Sequence, residues 1–566
     1  MIGRILKSLY SRAPSKATPT PQATEVPTSV ASEAVLISPV DRLIQSGLQS
    51  RNSGHLELAR DFFAEAARLD PTAVLPEFYL GNCASELRDF DAAVGHFKRA
   101  LERAPDDFKI RLNLAKAQGW RGDVQQRLVE VRTLIELGAT DYDTWSTFLM
   151  GLHYSDAASA TEIAQAHRTW GELFAGPLAP EAQHNRDSFE FTSNRHLRIG
   201  YVSGDLRQHS VAYFLEPLLE HHDRSRFEIF CYATLDVTDE VTARMRGFEV
   251  YWRSLVGLTD EDALATIKTD AIDILIDLSG HTPGARPGVF ARRAAPIQIV
   301  YLGYPDTTGN PEMDFRIVDR WTDPPDIATE LHSEKLLYLP NTQWCFRPDP
   351  NMPQPGSLPM LERGYAVFGA LNDFIKVSDT ILHCWGRILQ ESPGAHLRLH
   401  RAPKGERIER AIQILSTYGV DRSRISCSDW VASKTSGGQY HGVDIALDSY
   451  PYNGVTTTCE SFWMGLPVIS LRGRNSVSRS GYSLLEAMDL SDLAAADEDA
   501  YVRAAVELAQ DVPHLSELRQ RMRALMRSSG LLDEASFVGS IESLYLQAWD
   551  DRVKAFAQPA SRSTPS

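Results

Sequence analysis

Residues 453–460, Asn-Gly-Val-Thr-Thr-Thr-Cys-Glu, carry the residue types in this chain that are best suited to hold an anion. The apolar run 443–448 predicts a buried parallel strand before them, and a helix-like run follows. A helix beginning after Gly454 would direct three threonine hydroxyls and several unpaired backbone N–H groups at one point, with the positive end of the helix dipole behind them. A phosphate suits that point, and Glu460 is placed to accept hydrogen bonds from a sugar hydroxyl. For the threonines alone, a Thr-capped helix of an ordinary α/β domain is the alternative.

The surroundings of this stretch resemble the donor-binding motif of a known enzyme family. Residues 448–454 and 463–468 flank the threonines as in the family-41 glycosyltransferases, which are the O-GlcNAc transferase and SPINDLY-like proteins. The resemblance covers roughly residues 40 to 550, and several blocks in family order are far more specific than any one of them. It implies tetratricopeptide repeats followed by a GT-B unit of two Rossmann-like domains. The other similar blocks are 197–205 with His209, 273–282, 295–298, 302–305, 368–372 with Lys376, and 544–549.

Glycosyl transfer from a nucleotide sugar requires charge for the leaving diphosphate, an oriented sugar and a place for the acceptor proton. The resemblance implies that Lys376 stabilises the diphosphate and that Glu460 binds the ribose. It implies a cleft role for His209, as a base or as a hydrogen-bonding orienter, with the α-phosphate of the donor as the other possible proton acceptor. The further residues implied to contact the donor are Asn372, Asp373, Gly454, Thr456, Thr457, Thr458, His281, Thr282 and Tyr304.

No cofactor is expected besides the nucleotide-sugar donor, and no metal ion. Lys376 and the helix terminus can neutralise the diphosphate, and no Asp-x-Asp signature is committed to Mg²⁺ or Mn²⁺. The identity of the donor is open. Val455, Asp373 and Glu460 stand where the animal O-GlcNAc transferases have histidine, glutamine and aspartate, and residues 433–438 lack the histidine expected beside the base.

UDP-GlcNAc is the first expectation for the donor. The Gly-x-Thr-Thr-Thr-Cys-Glu form is more similar to the SPINDLY and bacterial branch, part of which uses GDP-fucose, and another activated sugar is a third possibility. Asp373 would repel a diphosphate unless Lys376 or another cation pairs with it.

The composition is that of a large soluble enzyme. The 566 residues allow about three to four domains, and 43% hydrophobic residues are enough for real cores. No stretch approaches the roughly 18 unbroken apolar residues of a membrane-spanning helix. A net charge of −16 disfavours a nucleic-acid partner. Six cysteines without CxxC pairs or histidine spacing indicate a reducing, cytoplasmic compartment and no zinc site.

A 34-residue period in the first part of the chain is typical of tetratricopeptide repeats. Small residues at fixed positions let two helices approach, an aromatic residue fills the groove, and proline ends the second helix. A third unit, from about Phe108 to Gly138, lacks the proline and is predicted to be degenerate or capping. The array offers a concave face for an extended peptide, or it serves as a structural collar. The pairs at this spacing are Gly47 and Gly81, Ala59 and Ala93, Phe63 and Phe97, Ala66 and Ala100, and Pro71 and Pro105.

From Leu197 onward, short apolar runs alternate with helical stretches and predict two doubly wound parallel sheets. The predicted strands of the first are 198–202, 227–232, 272–278 and 297–302, and those of the second are 365–371, 396–400, 424–427, 444–447 and 467–471. The predicted domains are a disordered tail and linker (1–40), repeats (41–140), a helical connector (141–195), an acceptor-side Rossmann-like domain (196–345), a nucleotide-sugar Rossmann-like domain (364–550) and a disordered tail (551–566).

Taken together, these features predict an inverting, metal-independent transferase that glycosylates Ser or Thr hydroxyls of proteins. A protein acceptor is expected to bind through the repeats and the cleft, and the oligomeric state is open. Two other functions are kept. A non-catalytic repeat adaptor is disfavoured by the retention of Lys376, the threonines, Glu460 and His209, and a small-molecule or lipid glycosyltransferase would have no need of a peptide groove.

Overall fold

A computed structural model of the chain describes residues 37–189, 195–402, 405–428 and 437–557. Most of the predicted tail at 1–40, the last residues of the predicted tail at 551–566, and most of segment 433–438 lie outside the described residues. The chain divides into two compact units, one up to Phe148 with a short segment at 404–406, and one formed by the rest from Leu149 onward. The domain bounds given above remain predictions.

The first unit contains the helical repeats. Six helices follow one another as three pairs, and the first helices of the pairs begin at Pro39, Val74 and Phe108, close to the predicted period. Asp89 and Asp107 cap two of these helices by accepting the N–H of Ala92 and Ile110. The helices are Pro39–Asn52, Leu56–Leu69, Val74–Glu86, Phe90–Arg103, Phe108–Arg121 and Val124–Glu136, and Tyr142–His153 follows them.

Each of the first two pairs is held by a glycine against an aromatic ring. A Cβ on Gly47 would lie 2.5 Å from the ring of Phe63, and a Cβ on Gly81 would lie 2.5 Å from that of Phe97. In the third pair Ala115 and Val131 take these two places, and both are fully buried. The third pair thus has a larger residue in place of the glycine and a smaller one in place of the phenylalanine. The two helices therefore still pack together without the glycine and the proline.

The second unit begins with connector helices and continues with a seven-stranded parallel sheet. Its strand order, β3-β2-β1-β4-β5-β6-β7, is that of a doubly wound α/β fold. The order in which strands are added to the sheet reverses between β1 and β4. Alternate residues of β1 enter different cores, with Ile199 and Tyr201 on one face and Val202 on the other. The connector helices are Ala160–Ala175 and Ala179–Asp187, and the strands are β1 Leu197–Ser203, β2 Phe227–Ala233, β3 Tyr251–Ser254, β4 Ile274–Asp277, β5 Ile297–Val300, β6 Phe315–Val318 and β7 Lys335–Tyr338.

A six-stranded parallel sheet follows, with the order β10-β9-β8-β11-β12-β13 and a reversal between β8 and β11. The two sheets confirm the predicted fold class and the nine predicted strands. The short strands β3, β6, β7 and β13 had no recognised signal in the sequence. The strands of this sheet are β8 Val367–Ala370, β9 His396–His400, β10 Ile425–Ser428, β11 Ile445–Leu447, β12 Val468–Leu471 and β13 Ala494–Ala495.

Helices cover both sheets, and apolar stripes on them complete the cores. Trp385 and Ile388, for example, lie fully buried on the helix that follows β8. The helices of the two Rossmann-like regions are Ala212–His221, Glu240–Arg246, Asp260–Thr269, Pro287–Ala291, Pro325–Ala328, Met360–Arg363, Asp379–Glu391, Glu406–Ser416, Thr456–Trp463, Ser480–Ala487, Glu498–Gln510, Val512–Ser528 and Glu534–Ala557.

The last helix, Glu534–Ala557, returns to the first sheet. Its residues Ile541, Tyr545 and Trp549 are buried in the same core as β1, and the Tyr545 hydroxyl lies 3.1 Å from that of Tyr201. The helix thus completes the core of the first sheet and continues to Ala557, beyond the predicted domain end at 550. None of the described helices is long and apolar enough to cross a membrane.

Candidate active site

A cavity of about 300 Å³ lies beyond the carboxyl ends of strands from both sheets, where ligands of open α/β sheets bind. Both reversal points of strand order open into it, because the loops after β1, β4, β8 and β11 all contribute. Its walls bring together five of the predicted donor-contacting residues and both predicted catalytic residues. The lining comprises His209, Ser210, Val211, Phe214, Thr282, Leu302, Gly303, Pro305, Trp344, Leu371, Asn372, Asp373, Lys376, Arg401, Tyr452, Val455, Thr456, Thr457 and Ser480.

The turn at Gly454 is built around the buried carboxylate of Asp448. One oxygen of this carboxylate accepts the backbone N–H of Gly454 at 2.8 Å and an amide hydrogen of Asn372 at 2.9 Å, and the other accepts the hydroxyl of Ser470 at 2.8 Å. Burial raises the pKa of Asp448 to about 6, although these donors favour its charged form. A Cβ on Gly454 would lie 2.7 Å from the Asn372 side chain, so this close approach requires glycine.

The helix Thr456–Trp463 starts at this turn with no side-chain cap. Val455 holds the N-cap position, and no side chain among the described residues accepts a hydrogen bond from the first turn there. The alternative of a Thr-capped helix is therefore not what the chain adopts. Thr456 and Thr457 line the cavity. Thr458 does not, because its hydroxyl donates to the Gly454 carbonyl oxygen at 3.1 Å and is buried. The free N–H groups of the first turn make the helix end attractive to an anion.

Lys376 lies in a short 3₁₀ turn after β8, and its ammonium is held from two sides. Nζ donates to the Asn453 carbonyl oxygen at 3.2 Å and lies 4.0 Å from the centre of the Tyr452 ring. That ring stacks on Tyr154 of the connector, with 5.2 Å between the ring centres. Burial lowers the pKa of Lys376 to about 8, against the opposing charges of Asp373 and Asp448. Lys376 is thus a fixed cation beside the threonines, and its lowered pKa brings the loss of its proton close to neutral pH.

Asp373 has a cation of its own. Nη1 of Arg401 donates to Oδ1 of Asp373 at 3.1 Å. This ion pair offsets the repulsion that the sequence predicted between Asp373 and a diphosphate. The cation that pairs with Asp373 is Arg401, which follows β9, and not Lys376. Sequence reasoning missed Arg401, since it belongs to none of the blocks that carried the resemblance.

Glu460 sits on the helix behind the threonines but is not among the residues that line the cavity. Its Oε2 accepts the hydroxyl of Tyr440 at 2.5 Å. Burial raises the pKa of the Glu460 carboxyl, and the Tyr440 hydrogen bond and the charge of Arg401 oppose that rise. The role of Glu460 toward a ribose stays a prediction.

His209 lines the cavity from the side of the first sheet, with 37% of its side chain exposed. Its Nδ1 accepts the backbone N–H of Val211 at 3.3 Å and lies 3.5 Å from a carboxylate oxygen of Asp205. Burial lowers the pKa of His209, while the charge of Asp205 acts in the opposite direction. With Nδ1 accepting a hydrogen bond, the neutral ring carries its proton on Nε2 and can donate from there.

His281 and Tyr304 were expected to contact the donor; both are buried and neither is among the residues that line the cavity, so this contact stays a prediction. Nε2 of His281 donates to the Thr308 carbonyl oxygen at 2.8 Å, and the Tyr304 hydroxyl lies 2.6 Å from Nε2 of His167 and 3.1 Å from Nε2 of His153. Burial lowers the pKa of His281 to about 4. These groups form an internal cluster that joins the connector to the first sheet. Thr282, next to His281, lines the cavity, and so do Gly303 and Pro305, on either side of Tyr304.

One group of potential metal ligands exists in the described part of the chain, away from the cavity. It consists of Glu220, His221 and Glu534. Both carboxylates are already paired with Arg347, at 2.6 Å for Glu220 and 2.5 Å for Glu534. A guanidinium in contact with both carboxylates competes with a cation for them.

The family assignment rests on more than this geometry. The sequence model of the family described as "Glycosyl transferase family 41" matches residues 179–348 and 359–541, which is more than half of the chain. The chain belongs to glycosyl transferase family 41. The family-41 match spans both sheets and the cavity between them. It also confirms the resemblance on which the implied site residues depend.

The similar proteins include two named peptide N-acetylglucosaminyltransferases and one solved O-GlcNAc transferase. The chain is 36% identical over 408 residues to a probable UDP-N-acetylglucosamine–peptide N-acetylglucosaminyltransferase SPINDLY of Solanum lycopersicum, covering 71% of this chain and 43% of that protein. It is 27% identical over 482 residues to a UDP-N-acetylglucosamine–peptide N-acetylglucosaminyltransferase of Caenorhabditis elegans, covering 64% and 41%. A solved mutant of the Thermobaculum terrenum O-GlcNAc transferase is 30% identical, with a TM-score of 0.83, and the match covers 92% of this chain and 98% of that one. The chain spans less than half the length of these curated relatives.

Proposed function

We propose that this family-41 chain transfers a sugar from a nucleoside diphosphate sugar to Ser or Thr hydroxyls of proteins, with UDP-GlcNAc as the first candidate donor. The observation that carries the proposal is the convergence on one cavity of Lys376, the uncapped helix start at Thr456 and Thr457, and His209 from the opposite sheet. The names of the relatives support the peptide acceptor and the N-acetylglucosamine donor. We place the reaction in the cytoplasm, in keeping with the scattered cysteines.

The proposed mechanism is an in-line displacement at the anomeric carbon, which inverts its configuration. Lys376 and the N–H groups at the helix start stabilise the negative charge that develops on the leaving diphosphate. His209, with its proton on Nε2, orients the acceptor or the donor by donating a hydrogen bond, and a phosphate oxygen of the donor accepts the proton of the acceptor hydroxyl. This assignment favours the role of orienter over that of base because Nδ1 already accepts the Val211 N–H.

GDP-fucose is the second candidate donor. The chain is more similar to the SPINDLY relatives than to the Caenorhabditis elegans relative, at 36% and 27% identity. Val455 and Asp373, which depart from the animal pattern, both line the cavity. These two side chains can therefore contact the donor and influence which donor the cavity binds.

A binding screen with UDP, GDP, UDP-GlcNAc and GDP-fucose tests the proposal. A nucleotide present at a hundred times its Kd adds roughly 2.7 kcal/mol of apparent stability, which a thermal-shift measurement detects. At least one of the four should raise the melting temperature of the wild-type chain, whereas Thr457→Val should shift the response to higher ligand concentration. No response to any of them would favour the non-catalytic adaptor.

Chelation should leave the reaction intact. Because Lys376 and the helix terminus supply positive charge to the diphosphate, we expect the same rate of sugar transfer in EDTA as in buffer containing Mn²⁺ or Mg²⁺. The rate can be followed by release of the nucleoside diphosphate. Loss of activity in EDTA and its recovery on addition of Mn²⁺ would contradict the metal-independent mechanism and leave the fold unaffected.

We further propose that the repeats select the protein acceptor. Asn82 and Asn113, on the first helices of successive pairs, join by a 2.9 Å hydrogen bond between their amides, and amides of this kind can bind an extended peptide backbone. Asn82→Ala should lower modification of a protein acceptor by about tenfold, the scale of one or two lost hydrogen bonds, while nucleotide binding stays unchanged. Tyr79 is a poorer choice because its ring stacks on Phe63 at 5.0 Å.

The exposed Lys98 lies on the second helix of the same pair, and Lys98→Ala is the matched control. If Asn82→Ala and Lys98→Ala both modify the acceptor at the wild-type rate, the repeats act as a structural collar. The cleft alone would then select the acceptor.

A further inference from the structure

Arg401 is a cation at the cavity that the sequence did not single out. It directly follows β9, at the carboxyl edge of the second sheet, and its side chain lines the cavity together with Lys376, Thr456 and Thr457. Its backbone adopts φ 53°, in the left-handed region that residues other than glycine seldom enter. A conformation of this kind costs free energy and persists where the surrounding structure imposes it, often at functional sites.

The guanidinium of Arg401 is only partly used by the protein. Nη1 donates to Asp373 at 3.1 Å, while Nε is buried and has no hydrogen-bond partner among the described residues. A buried donor without a partner costs free energy, so such groups in native proteins call for an explanation. A ligand that enters the cavity can reach other atoms of the guanidinium, since 37% of the side chain remains exposed.

The charges around the cavity show which ligand this donor suits. Asp373 lines the cavity, and Glu460 lies close enough to Arg401 for the guanidinium charge to lower the pKa of the Glu460 carboxyl. Lys376 already donates to a carbonyl oxygen and contacts an aromatic ring. A diphosphate in this cavity would lie near these carboxylates, so a second cation beside Lys376 and the helix start favours its binding. An arginine also presents a fork of donors that matches phosphate oxygens.

We propose that Arg401 binds the diphosphate of the donor and of the nucleoside diphosphate product, as a second cation beside Lys376. Asp373 is then a positioning residue that holds the guanidinium toward the cavity. The inference rests on the proposed function, because it assigns a ligand to the same cavity. It also gives a physical reason for the carboxylate at 373, because Asp373 holds the guanidinium of Arg401 by an ion pair.

Titration calorimetry of the full chain with UDP, GDP, UMP and GMP tests the inference. For the nucleoside diphosphate that the wild-type chain binds, Arg401→Met should weaken affinity by about 10- to 100-fold, the range for a lost hydrogen bond to a charged group. Arg401→Lys should fall between the two, since it keeps the charge and loses the fork. The affinity for the matching monophosphate should fall at most a few-fold. Arg398→Met, on β9 but outside the cavity lining, should bind the diphosphate as the wild type does.

A double variant separates direct contact from indirect repulsion. In Arg401→Met the carboxylate of Asp373 is left without its cation and would repel the ligand. Adding Asp373→Asn removes that repulsion, so we expect only partial recovery of affinity if Arg401 contacts the diphosphate.

Full recovery in the double variant, or wild-type affinity in Arg401→Met, would overturn the role of Arg401 and leave the proposed function standing. Failure of the wild-type chain to bind any nucleoside diphosphate would instead overturn the proposed function.

Discussion

Replacing Lys376 by methionine should lower kcat by about a hundredfold or more, which is the scale for removal of one preorganised electrostatic group. The ammonium is fixed by the Asn453 carbonyl and the Tyr452 ring, so its charge meets the leaving diphosphate without reorganisation. The fold should survive, because methionine has a similar length and the lysine is only half-buried. Steady-state kinetics with the preferred nucleotide sugar and circular dichroism of both proteins measure the two effects.

The pH dependence provides a second signature of Lys376. Its pKa of about 8 means that raising the pH through 8 removes the proton and the charge, so kcat/KM of the wild-type chain should fall along that limb. Lys335→Met is a matched control, since Lys335 also lies over an aromatic ring, Phe315, but outside the cavity lining. Near-wild-type turnover of Lys376→Met, with Lys335→Met equally active, would show that the diphosphate lies elsewhere.

Asp448→Ala should cause the largest loss of stability at the site. The carboxylate accepts hydrogen bonds from Asn372, Gly454 and Ser470, and all of these donors are buried with it. Leaving them unpaired should cost about 3 kcal/mol and lower the Tm of the second Rossmann-like region by about 6 to 12 °C. Nucleotide affinity should fall at least tenfold, because the turn that starts the Thr456 helix loses its support.

A control for Asp448 is Asp511→Ala, which removes an exposed helix cap that accepts the N–H of His514. That change should cost about 1 kcal/mol and leave nucleotide binding unaltered. Differential scanning calorimetry and a UDP or GDP titration on both variants give the comparison. If Asp448→Ala melts like Asp511→Ala and binds nucleotide normally, the turn is held by other contacts.

The fold was largely predictable because its signals are local. A 34-residue spacing of glycine, alanine and aromatic residues indicates helix pairs, and buried runs such as 227–233 indicate parallel strands covered on both faces. Strands β3 and β7 escaped prediction because most of their residues are half-exposed or exposed and the strands are only four residues long. The segment 544–549 was recognised as part of a helix, but its core could not be read from the sequence, since partners such as Tyr201 lie more than 300 residues earlier.

The site was predictable where function depends on backbone geometry. Gly454 and the threonines after it mark a strand, a turn and a helix start, and the structure forms all three. The orientation of side chains was harder to predict. His281 and Tyr304 lie in loops that reach the cavity, yet both are buried in a cluster with His153 and His167, which belong to two different helices. Arg401 lines the cavity from a backbone in the left-handed region, and no pattern in the sequence predicts that conformation for an arginine.

Transfer of sugar to a protein acceptor, followed by mass spectrometry, is the most direct test of the proposed function. Wild-type chain and Lys376→Met are each incubated in EDTA with a protein acceptor and either UDP-GlcNAc or GDP-fucose. We expect one donor to add a single sugar mass at Ser or Thr residues with the wild-type chain, and Lys376→Met to add about a hundredfold less. No added mass from either donor with a wild-type chain that binds nucleotide, or equal transfer by Lys376→Met, would contradict this expectation.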